Sequence, residues 1–301
     1  MKKYMNMKMN NYLMIIASLT CLSFVSCEKS EDKTADDVVA DWGRMVRASD
    51  GHLYLILDNT SVMLTRPKWG DSDFDAWNNM TSCVVSERAE IDGKVYAVTR
   101  IDDNTFGGCT NLRSLMIPEG VIKIGDEVFM ECSSLVSITL PSSLEKVGVL
   151  CFKKCSSLTS LTVLSKKLKA SLSIFQKQDH LTSLTLCCHE IDQSTFSDYP
   201  ELTEVNLKDG VENIGSAAFQ GCKKLTLVDL PASIKTINPQ AFCLCPMLSD
   251  VYCRTSEVLD ISDGVFDWNL SDNLTLHVPS ALLDAYKSHK AWRRFHRIVA
   301  I

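Results

Sequence analysis

Several signatures of catalysis and of nucleic-acid binding are missing from this chain of 301 residues. It has six histidines, and it contains neither a glycine-rich phosphate loop nor a His-Glu-x-x-His metalloprotease motif. Its formal net charge is −6, whereas nucleic-acid binding needs a basic surface. After residue 26, no apolar run is long enough to span a membrane. We therefore expect no catalytic residue, no cofactor and no nucleic-acid partner.

The first 26 residues have the pattern of an export signal. Lys2, Lys3 and Lys8 supply the positive end, and residues 12–26 form a short apolar run. Because this run is too short for a permanent membrane helix, we expect it to be cleaved. Residues 1–26 are therefore predicted to be a signal peptide.

The end of this signal resembles the lipobox of bacterial lipoproteins, in which a cysteine is acylated and becomes the mature N-terminus. The matching residues are Phe24-Val25-Ser26-Cys27, with Phe24 where the lipobox usually has leucine. Acidic residues follow at once, as in the signals that direct Bacteroidetes lipoproteins to the outer surface: Glu28, Glu31 and Asp32. We predict a lipid anchor at Cys27, a flexible tether within residues 27–50, and a surface-exposed outer-membrane lipoprotein whose one membrane contact is this anchor. An ordinary secretory signal is the alternative.

One phenylalanine recurs along the chain at steps of 21 to 24 residues. Its eight positions are Phe106, Phe129, Phe152, Phe175, Phe196, Phe219, Phe242 and Phe266. In most units a Leu-x-x-Leu-x-Leu frame follows the phenylalanine, as in Leu112, Leu115 and Ile117. A period in this range with this frame is the signature of leucine-rich repeats. One unit cannot bury its own apolar residues, but stacked units bury them as continuous ladders.

The predicted fold is a leucine-rich repeat solenoid of about eight units of 21–24 residues with a parallel β-sheet. Residues 98–278 form the array, and residues 279–301 form a C-terminal helical cap. Residues 51–97 form an N-terminal β-hairpin cap with strands over 52–57, 61–66, 83–91 and 94–98. The second hairpin turns at Asp92-Gly93, a strong short-turn signal. Between the hairpins, residues 69–79 are predicted to be an acidic, aromatic loop.

Three short segments contain residue types that bind metals. Residues 71–75 alternate carboxylates as a calcium loop does, but they lack its following glycine and distal glutamate. Cys187-Cys188-His189 and Cys243-Leu244-Cys245 lack the paired ligands of structural zinc sites. We therefore predict no metal site and a solvated loop over 71–75.

Five of the 13 cysteines occupy one repeat position, three residues after the phenylalanine: Cys109, Cys132, Cys155, Cys222 and Cys245. Other units have Gln178, Tyr199 or Asn269 there. This interchange favours a space-filling role, since free cysteine packs as a small apolar residue. Disulfides are the alternative, because neighbouring rungs of a ladder can come within bonding range.

The repeat units at 101–112 and 214–225 resemble BspA-type leucine-rich repeats. So does the end of the chain, with Val278-Pro279 followed by Tyr286, Trp292, Phe295 and Ile298. This resemblance covers roughly residues 50–301. It implies a surface-exposed bacterial protein that adheres to host proteins or other cells, without catalytic residues. The fourth and fifth units depart most from the pattern, so we expect a local irregularity in the stack there.

The outward side chains of the predicted sheet change character along the array. The first four units present serine and threonine rows, which also stabilise strand pairs. The later units present charged and aromatic residues, and we predict a binding patch from five of them: Glu204, Asp229, Asp250, Tyr252 and Arg254. A basic group in residues 287–297 is interpreted as a solvated face of the cap, with contact to anionic lipid or glycan as the alternative.

Together with what the resemblance implies, these patterns favour an adhesion or protein-binding module whose expected partners are host or bacterial surface proteins, or glycans. The alternative is a carbohydrate-binding surface lipoprotein of a glycan-uptake system, which would need exposed aromatic residues over the sheet. A third interpretation is an enzyme or an envelope-structural protein. Binding assays with matrix proteins and polysaccharides would discriminate the first two.

Overall fold

The computed structural model describes residues 45–262, 264–267 and 274–301. Within them the repeats stack as coils of a parallel β-solenoid that is closed at its start by antiparallel hairpins. The N-terminal cap contains β1 (Met45–Arg47), β2 (Leu53–Ile56), β3 (Ser61–Thr65), β5 (Arg88–Ile91) and β6 (Lys94–Ile101). The hairpin of β5 and β6 turns at Asp92 and Gly93, which both have positive φ. The predicted solenoid and hairpin cap are confirmed.

From the second repeat onward, each coil contributes one strand to a main sheet of eight parallel strands, the last of which comes from the C-terminal cap. The strands are β9 (Ser137–Leu140), β11 (Ser160–Val163), β13 (Ser183–Leu186), β15 (Glu204–Leu207), β17 (Leu227–Leu230), β19 (Asp250–Cys253), β20 (Thr275–Val278) and β21 (Arg297–Ala300). Alternate side chains point into the core, as the alternation of Leu and Ser/Thr in the sequence requires. We call the other side of this sheet its outer face.

The predicted strand over 83–91 is two strands that join different sheets, and this part of the prediction is wrong. β4 (Ser82–Val84) pairs with β7 (Ser114–Met116) of the first coil, whereas β5 pairs with β6. The division lies at Ser86, whose hydroxyl donates to the carboxylate of Asp50 across 2.7 Å. The bond between Ser86 and Asp50 thus lies between the two strands, where the continuous strand predicted from the apolar alternation is interrupted.

Short strands of two residues form a second layer opposite the main sheet. β8 (Lys123–Ile124) and β10 (Lys146–Val147) extend the sheet of the cap, whereas β12 (Lys169–Ala170), β14 (Glu190–Ile191), β16 (Asn213–Ile214) and β18 (Thr236–Ile237) form a separate one. The break falls at the fourth unit, where the helix α2 (Leu172–Phe175) replaces the turn of the other coils. The structure thus has an irregularity where the sequence departs from the repeat.

The eight phenylalanines form one continuous ladder through the core, with ring centroids 5.2 to 6.1 Å apart. Trp77 adds a rung at the N-terminal end, stacked on Phe106 at 5.5 Å. Trp77 lies in the helix α1 (Phe74–Asn78), and its indole N–H donates to the carbonyl of Thr105 across 2.8 Å. The prediction of a loop over 69–79 is therefore wrong for α1, and that of a solvated loop over 71–75 is wrong for Phe74, since Phe74 and Trp77 are buried.

The turns around the phenylalanines cross the left-handed region of φ twice in most coils. The two positions lie two residues before and two residues after the ring, as Glu127 and Glu131 do around Phe129. Few of these residues are glycine, although left-handed backbone costs other residues roughly 1–2 kcal/mol. The stacking of coils therefore stabilises turns with positive φ at residues whose types do not predict this conformation.

The C-terminal cap contains a 3₁₀ turn (Ser280–Leu282), the helix α3 (Leu283–Ser288), a second 3₁₀ turn (Trp292–Arg294) and β21. Phe266, the last rung, contacts Trp292 at 5.9 Å and Phe295 at 5.2 Å between ring centroids. The helical cap is confirmed, but the sequence does not predict that β21 continues the main sheet. Ile298, predicted as an apolar anchor, lies in this strand.

Candidate functional site

The register of the last strands places two outward rows side by side on the outer face. One row runs from Leu227 through Asp250 and Thr275 to Arg297. The other row is Asp229, Tyr252, His277 and Val299. Since adjacent strands lie about 4.8 Å apart, neighbours within a row are within reach of one another.

Arg254 and Asp229 form a bidentate ion pair on this face. The guanidinium donates from Nε to Asp229 Oδ1 across 2.7 Å and from an Nη to Oδ2 across 2.9 Å. These hydrogen bonds raise the pKa of Arg254 above its ordinary value. The same guanidinium lies 5.6 Å from the centroid of the Tyr252 ring. Arg254 thus joins an acid on β17 to an aromatic ring on β19.

Tyr252 is stacked on His277 with a ring-centroid distance of 4.1 Å and an interplanar angle of 6°. His277 Nε2 donates to Asp250 Oδ1 across 2.8 Å, and Ser249 donates its hydroxyl to Asp250 Oδ2. The bond from His277, followed by that from Ser249, holds the pKa of Asp250 below its ordinary value. The side chains are therefore held in place by one another before any partner arrives.

The structure brings together four of the five predicted binding residues: Asp229, Asp250, Tyr252 and Arg254. We call these four with His277 the outer-face cluster. Glu204 lies apart, because Leu227 of β17 separates it from Asp250 in the same row. Sequence reasoning missed His277, although it occupies an outward position of the last predicted strand. Whether the five predicted residues bind a partner stays a prediction.

Threonines just before the strands of the main sheet form hydrogen bonds from coil to coil. Thr159 donates its hydroxyl to the carbonyl of Val136, Thr182 donates to Thr159, and Thr203 donates to Thr182, over 3.1 to 3.2 Å. These threonines directly precede β11, β13 and β15 and join the coils beside the outward rows.

The cysteine ladder has a hydrogen-bonding role that the space-filling interpretation omits. Cys132, Cys155, Cys222 and Cys245 each donate the thiol hydrogen to the carbonyl of the preceding coil's phenylalanine, with Sγ to oxygen distances of 3.1 to 3.3 Å. Gln178, in the same position, donates from Nε2 to Phe152 across 2.8 Å. Tyr199, also in this position, donates its hydroxyl to the carbonyl of Gln176 instead. The residues that exchange here thus share a hydrogen-bond donor directed at the preceding coil. Asn269 lies outside the described residues.

Burial makes these thiols poor nucleophiles. It raises the pKa of Cys109 to about 11 and those of Cys155 and Cys245 to about 12. The cysteines that the structure describes are free thiols. Because the thiolate is the reactive form, a buried thiol that stays neutral reacts slowly with electrophiles and oxidants.

Within the described residues, no group of three or more His, Cys, Asp or Glu side chains is arranged to hold a metal ion. In the segment with calcium-like spacing, Asp73 pairs with Arg47, and Asp71 accepts the backbone N–H of Lys68. Cys188 and Cys245 are buried. In the same part of the chain, no helix is long and apolar enough to cross a membrane. Cys27 and the predicted signal lie outside the described residues.

The family model described as the BspA type leucine rich repeat region matches residues 94–198 and 189–283, with six copies of the repeat. Together these ranges span more than half of the chain. No curated protein matches the chain.

Several solved structures are similar to this chain. A leucine rich repeat protein of T. pallidum is 26% identical, with 67% of this chain and 79% of that chain covered and a TM-score of 0.41. A leucine-rich repeat protein from Eubacterium ventriosum is 20% identical, with 69% of this chain and 50% of that chain covered and a TM-score of 0.49. A leucine-rich repeat protein from Bacteroides ovatus is 16% identical, with 82% of this chain and 97% of that chain covered and a TM-score of 0.32. The match thus spans half of the Eubacterium protein.

Proposed function

The chain belongs to the BspA-type leucine-rich repeat family, and from this premise we propose that it is a non-catalytic adhesion protein that binds a protein partner on the outer face of its main sheet. The partner is a surface protein of a host or of another bacterium. The family's repeat solenoid supports an interaction scaffold, since stacked coils present extended surfaces suited to binding.

The observation that carries this proposal is the outer-face cluster. Its charged and aromatic side chains are partly exposed, and each is held by a neighbour before binding. A side chain that is already ordered loses little conformational entropy when a partner arrives. Tyr and Arg are also the residue types that most often dominate protein interfaces.

The arrangement of Tyr252 favours a protein partner over a sugar. Carbohydrate rings are expected to stack on an exposed aromatic face, as the sequence-based alternative requires. One face of Tyr252 is covered by His277 at 4.1 Å, and the guanidinium of Arg254 is 5.6 Å from its centroid. The ring therefore offers its edge and hydroxyl, which suit hydrogen bonding.

The contacts of Ser249 support the non-catalytic part of the proposal. A serine nucleophile needs its hydroxyl bonded to a histidine base, which a carboxylate then orients. Here the Ser249 hydroxyl donates to Asp250, and the carboxylate stands between the serine and His277. The order of groups is wrong for proton transfer from serine to histidine.

Localisation at the cell surface is part of the same proposal. It rests on the lipobox-like sequence that ends at Cys27 and on the acidic residues that follow it. An acyl chain on Cys27 would hold the protein at the membrane while the repeat array remains outside the bilayer.

The proposal is tested by capturing partners from panels of extracellular-matrix and bacterial surface proteins. The test variant carries Asp250→Ala, Tyr252→Ala and Arg254→Ala, and we expect its capture of any partner to fall at least about tenfold, the loss typical of removing interface anchors. The matched control carries Thr139→Ala, Thr162→Ala and Thr185→Ala, outward positions of the same face in the first half of the array. Full capture by the first variant, or equal loss in both, would contradict the assignment of the site.

A further inference from the structure

The C-terminal cap concentrates positive charge in a chain that is acidic overall. Residues 279–301 contain five Lys and Arg residues and one acidic residue, Asp284, whereas the whole chain has a net charge of −6. The five are Lys287, Lys290, Arg293, Arg294 and Arg297, and all are exposed. Such a local excess is the electrostatic feature that attracts anionic partners.

Several lysines of the array pair with a glutamate one coil earlier. Lys154 pairs in this way with Glu131 across 2.6 Å. The same relation joins Lys224 to Glu201 and Lys235 to Glu212, across 2.6 and 2.5 Å. These four lysines, counting Lys167 with Glu145, thus contribute to contacts between coils.

Four cations of the cap lack a pair of this kind. Among the residues that the structure describes, Lys287, Lys290, Arg293 and Arg297 form no ion pair with a carboxylate. We call these four the cap cations; Arg294 is not among them, because it has a partner. A positive charge left without an internal partner keeps its full attraction for an external anion.

The packing of the cap explains why these side chains face outward. Tyr286, Trp292 and Phe295 are buried and close the last coil. Trp292 is fixed by its indole N–H, which donates to the carbonyl of Leu259 across 2.7 Å. The cations alternate with these buried residues along the chain, so anchoring the aromatic side chains turns Lys287, Lys290 and Arg293 toward solvent.

From this charge distribution we propose that the cap cations form a binding surface for an acidic polysaccharide, such as a sulfated glycan. The cations recur at a spacing of three to four residues over one short segment, which suits a polymer with regularly repeated charge. Arg297 ends the outward row that contains Asp250, so this surface adjoins the outer face. None of the cap cations belongs to the outer-face cluster, so the inference does not depend on the proposed function.

The surface of the cap favours a polysaccharide over a peptide. An acidic peptide gains much of its affinity from apolar anchors. In residues 279–301, all of which the structure describes, Ile301 is the one large apolar side chain that is exposed. A uniformly charged polysaccharide requires no such anchor. Anionic lipid also binds clustered cations, so lipid vesicles serve as a competitor in the test below.

Retention of the full-length protein on immobilised heparin tests this inference, with heparin as the sulfated probe. We expect binding at an ionic strength of about 0.15 M that weakens steeply as salt rises, because the polyanion releases counterions when cations bind it. A variant with Lys287→Gln, Lys290→Gln, Arg293→Gln and Arg297→Gln should bind at least about tenfold more weakly. No retention of the unmodified protein would overturn the inference.

A charge-matched control separates a local surface from the effect of net charge. It carries Lys154→Gln, Lys167→Gln, Lys224→Gln and Lys235→Gln, which remove the same number of positive charges from paired lysines of the array. This control should keep heparin affinity within about twofold, since its lysines are engaged by carboxylates. Equal loss in the two variants would sink the assignment, and unfolding curves must show that both are folded.

Competition identifies the partner class. Polyglutamate and vesicles of anionic phosphatidylglycerol are added at a charge concentration equal to that of free heparin. We expect free heparin to displace the protein from the column at a concentration at least about tenfold lower than either competitor. If polyglutamate or the vesicles compete as well as heparin, the surface is not one for polysaccharides.

Discussion

Cys132 donates its thiol hydrogen to the carbonyl oxygen of Phe106, 26 residues earlier in the chain, across 3.2 Å. The bond connects two coils at the rung of the aromatic ladder, and the same bond recurs along the array. Gln178 makes it where cysteine is absent, so the position selects a donor as well as a volume.

The donor role predicts a difference between two small substitutions of Cys132. Cys132→Ser keeps a hydrogen-bond donor, whereas Cys132→Ala removes one of the two bonds to the Phe106 carbonyl, which still accepts the backbone N–H of Cys109 across 3.0 Å. Since a net hydrogen bond contributes about 0.5–1.5 kcal/mol, the serine variant should be more stable than the alanine variant by roughly that amount. Urea unfolding measures this difference. An alanine variant as stable as the serine variant would restore the space-filling interpretation.

Alkaline pH should destabilise the protein through its buried thiols. Burial raises the pKa of Cys155 from its ordinary value of 9.0 to about 12, so the folded state keeps a proton that the unfolded state loses. The stabilisation is complete below pH 9 and is lost as pH rises toward 12. The difference in the free energy of unfolding between wild type and Cys155→Ser should therefore narrow above pH 9. Groups that titrate in both proteins do not affect this difference. A gap that is constant with pH contradicts this.

The middle of the ladder should be the most costly place to remove a ring. Phe152 lies between Phe129 and Phe175, with centroid distances of 5.2 and 5.8 Å, and it is buried. Phe152→Ala opens a cavity and should lower the free energy of unfolding by about 3–5 kcal/mol. The triple alanine variant of the outer-face cluster serves as the control. Its thermal midpoint should stay almost unchanged, because surface substitutions usually remain within about 0.5 kcal/mol each.

Trp77 should act as a structural rung in spite of its place in a polar segment. Trp77→Ala exposes the Phe106 face and should cost about 3–5 kcal/mol. Trp77→Phe keeps a stacked ring but loses the bond from the indole N–H to Thr105, so part of that stability should remain. Thermal unfolding of both variants tests the rung. If the two substitutions cost the same, the aromatic stack is not what stabilises this end.

Cys27 is expected to carry a diacylglyceryl group. Mass spectrometry of the mature N-terminus and detergent partitioning of the wild-type protein measure the modification directly. Cys27→Ala should move the protein from the detergent phase to the aqueous phase without changing its unfolding curve, since the residue precedes the repeat array. An unmodified Cys27 in the mature protein, or a mature chain that starts elsewhere, would refute the anchor.

Much of the fold follows from sequence periodicity. The recurrence of phenylalanine near every 23 residues predicts the coils, and the Leu-x-Leu alternation predicts the strands of the main sheet, because both patterns mark residues that only stacking can bury. The outward positions follow from the same alternation, so Asp229, Asp250, Tyr252 and Arg254 can be placed on one face without coordinates.

The tertiary structure alone decided which of these side chains meet. The pairing of Arg254 with Asp229, and of His277 with Asp250, depends on rotamers and on the register of strands more than 20 residues apart. Trp77 and β21 joined the array because an open end of a solenoid must be covered, although neither obeys the repeat. Periodicity records what each coil must bury in common. Contacts made once, at an end or on a surface, leave no period in the sequence, and only the folded chain brings them together.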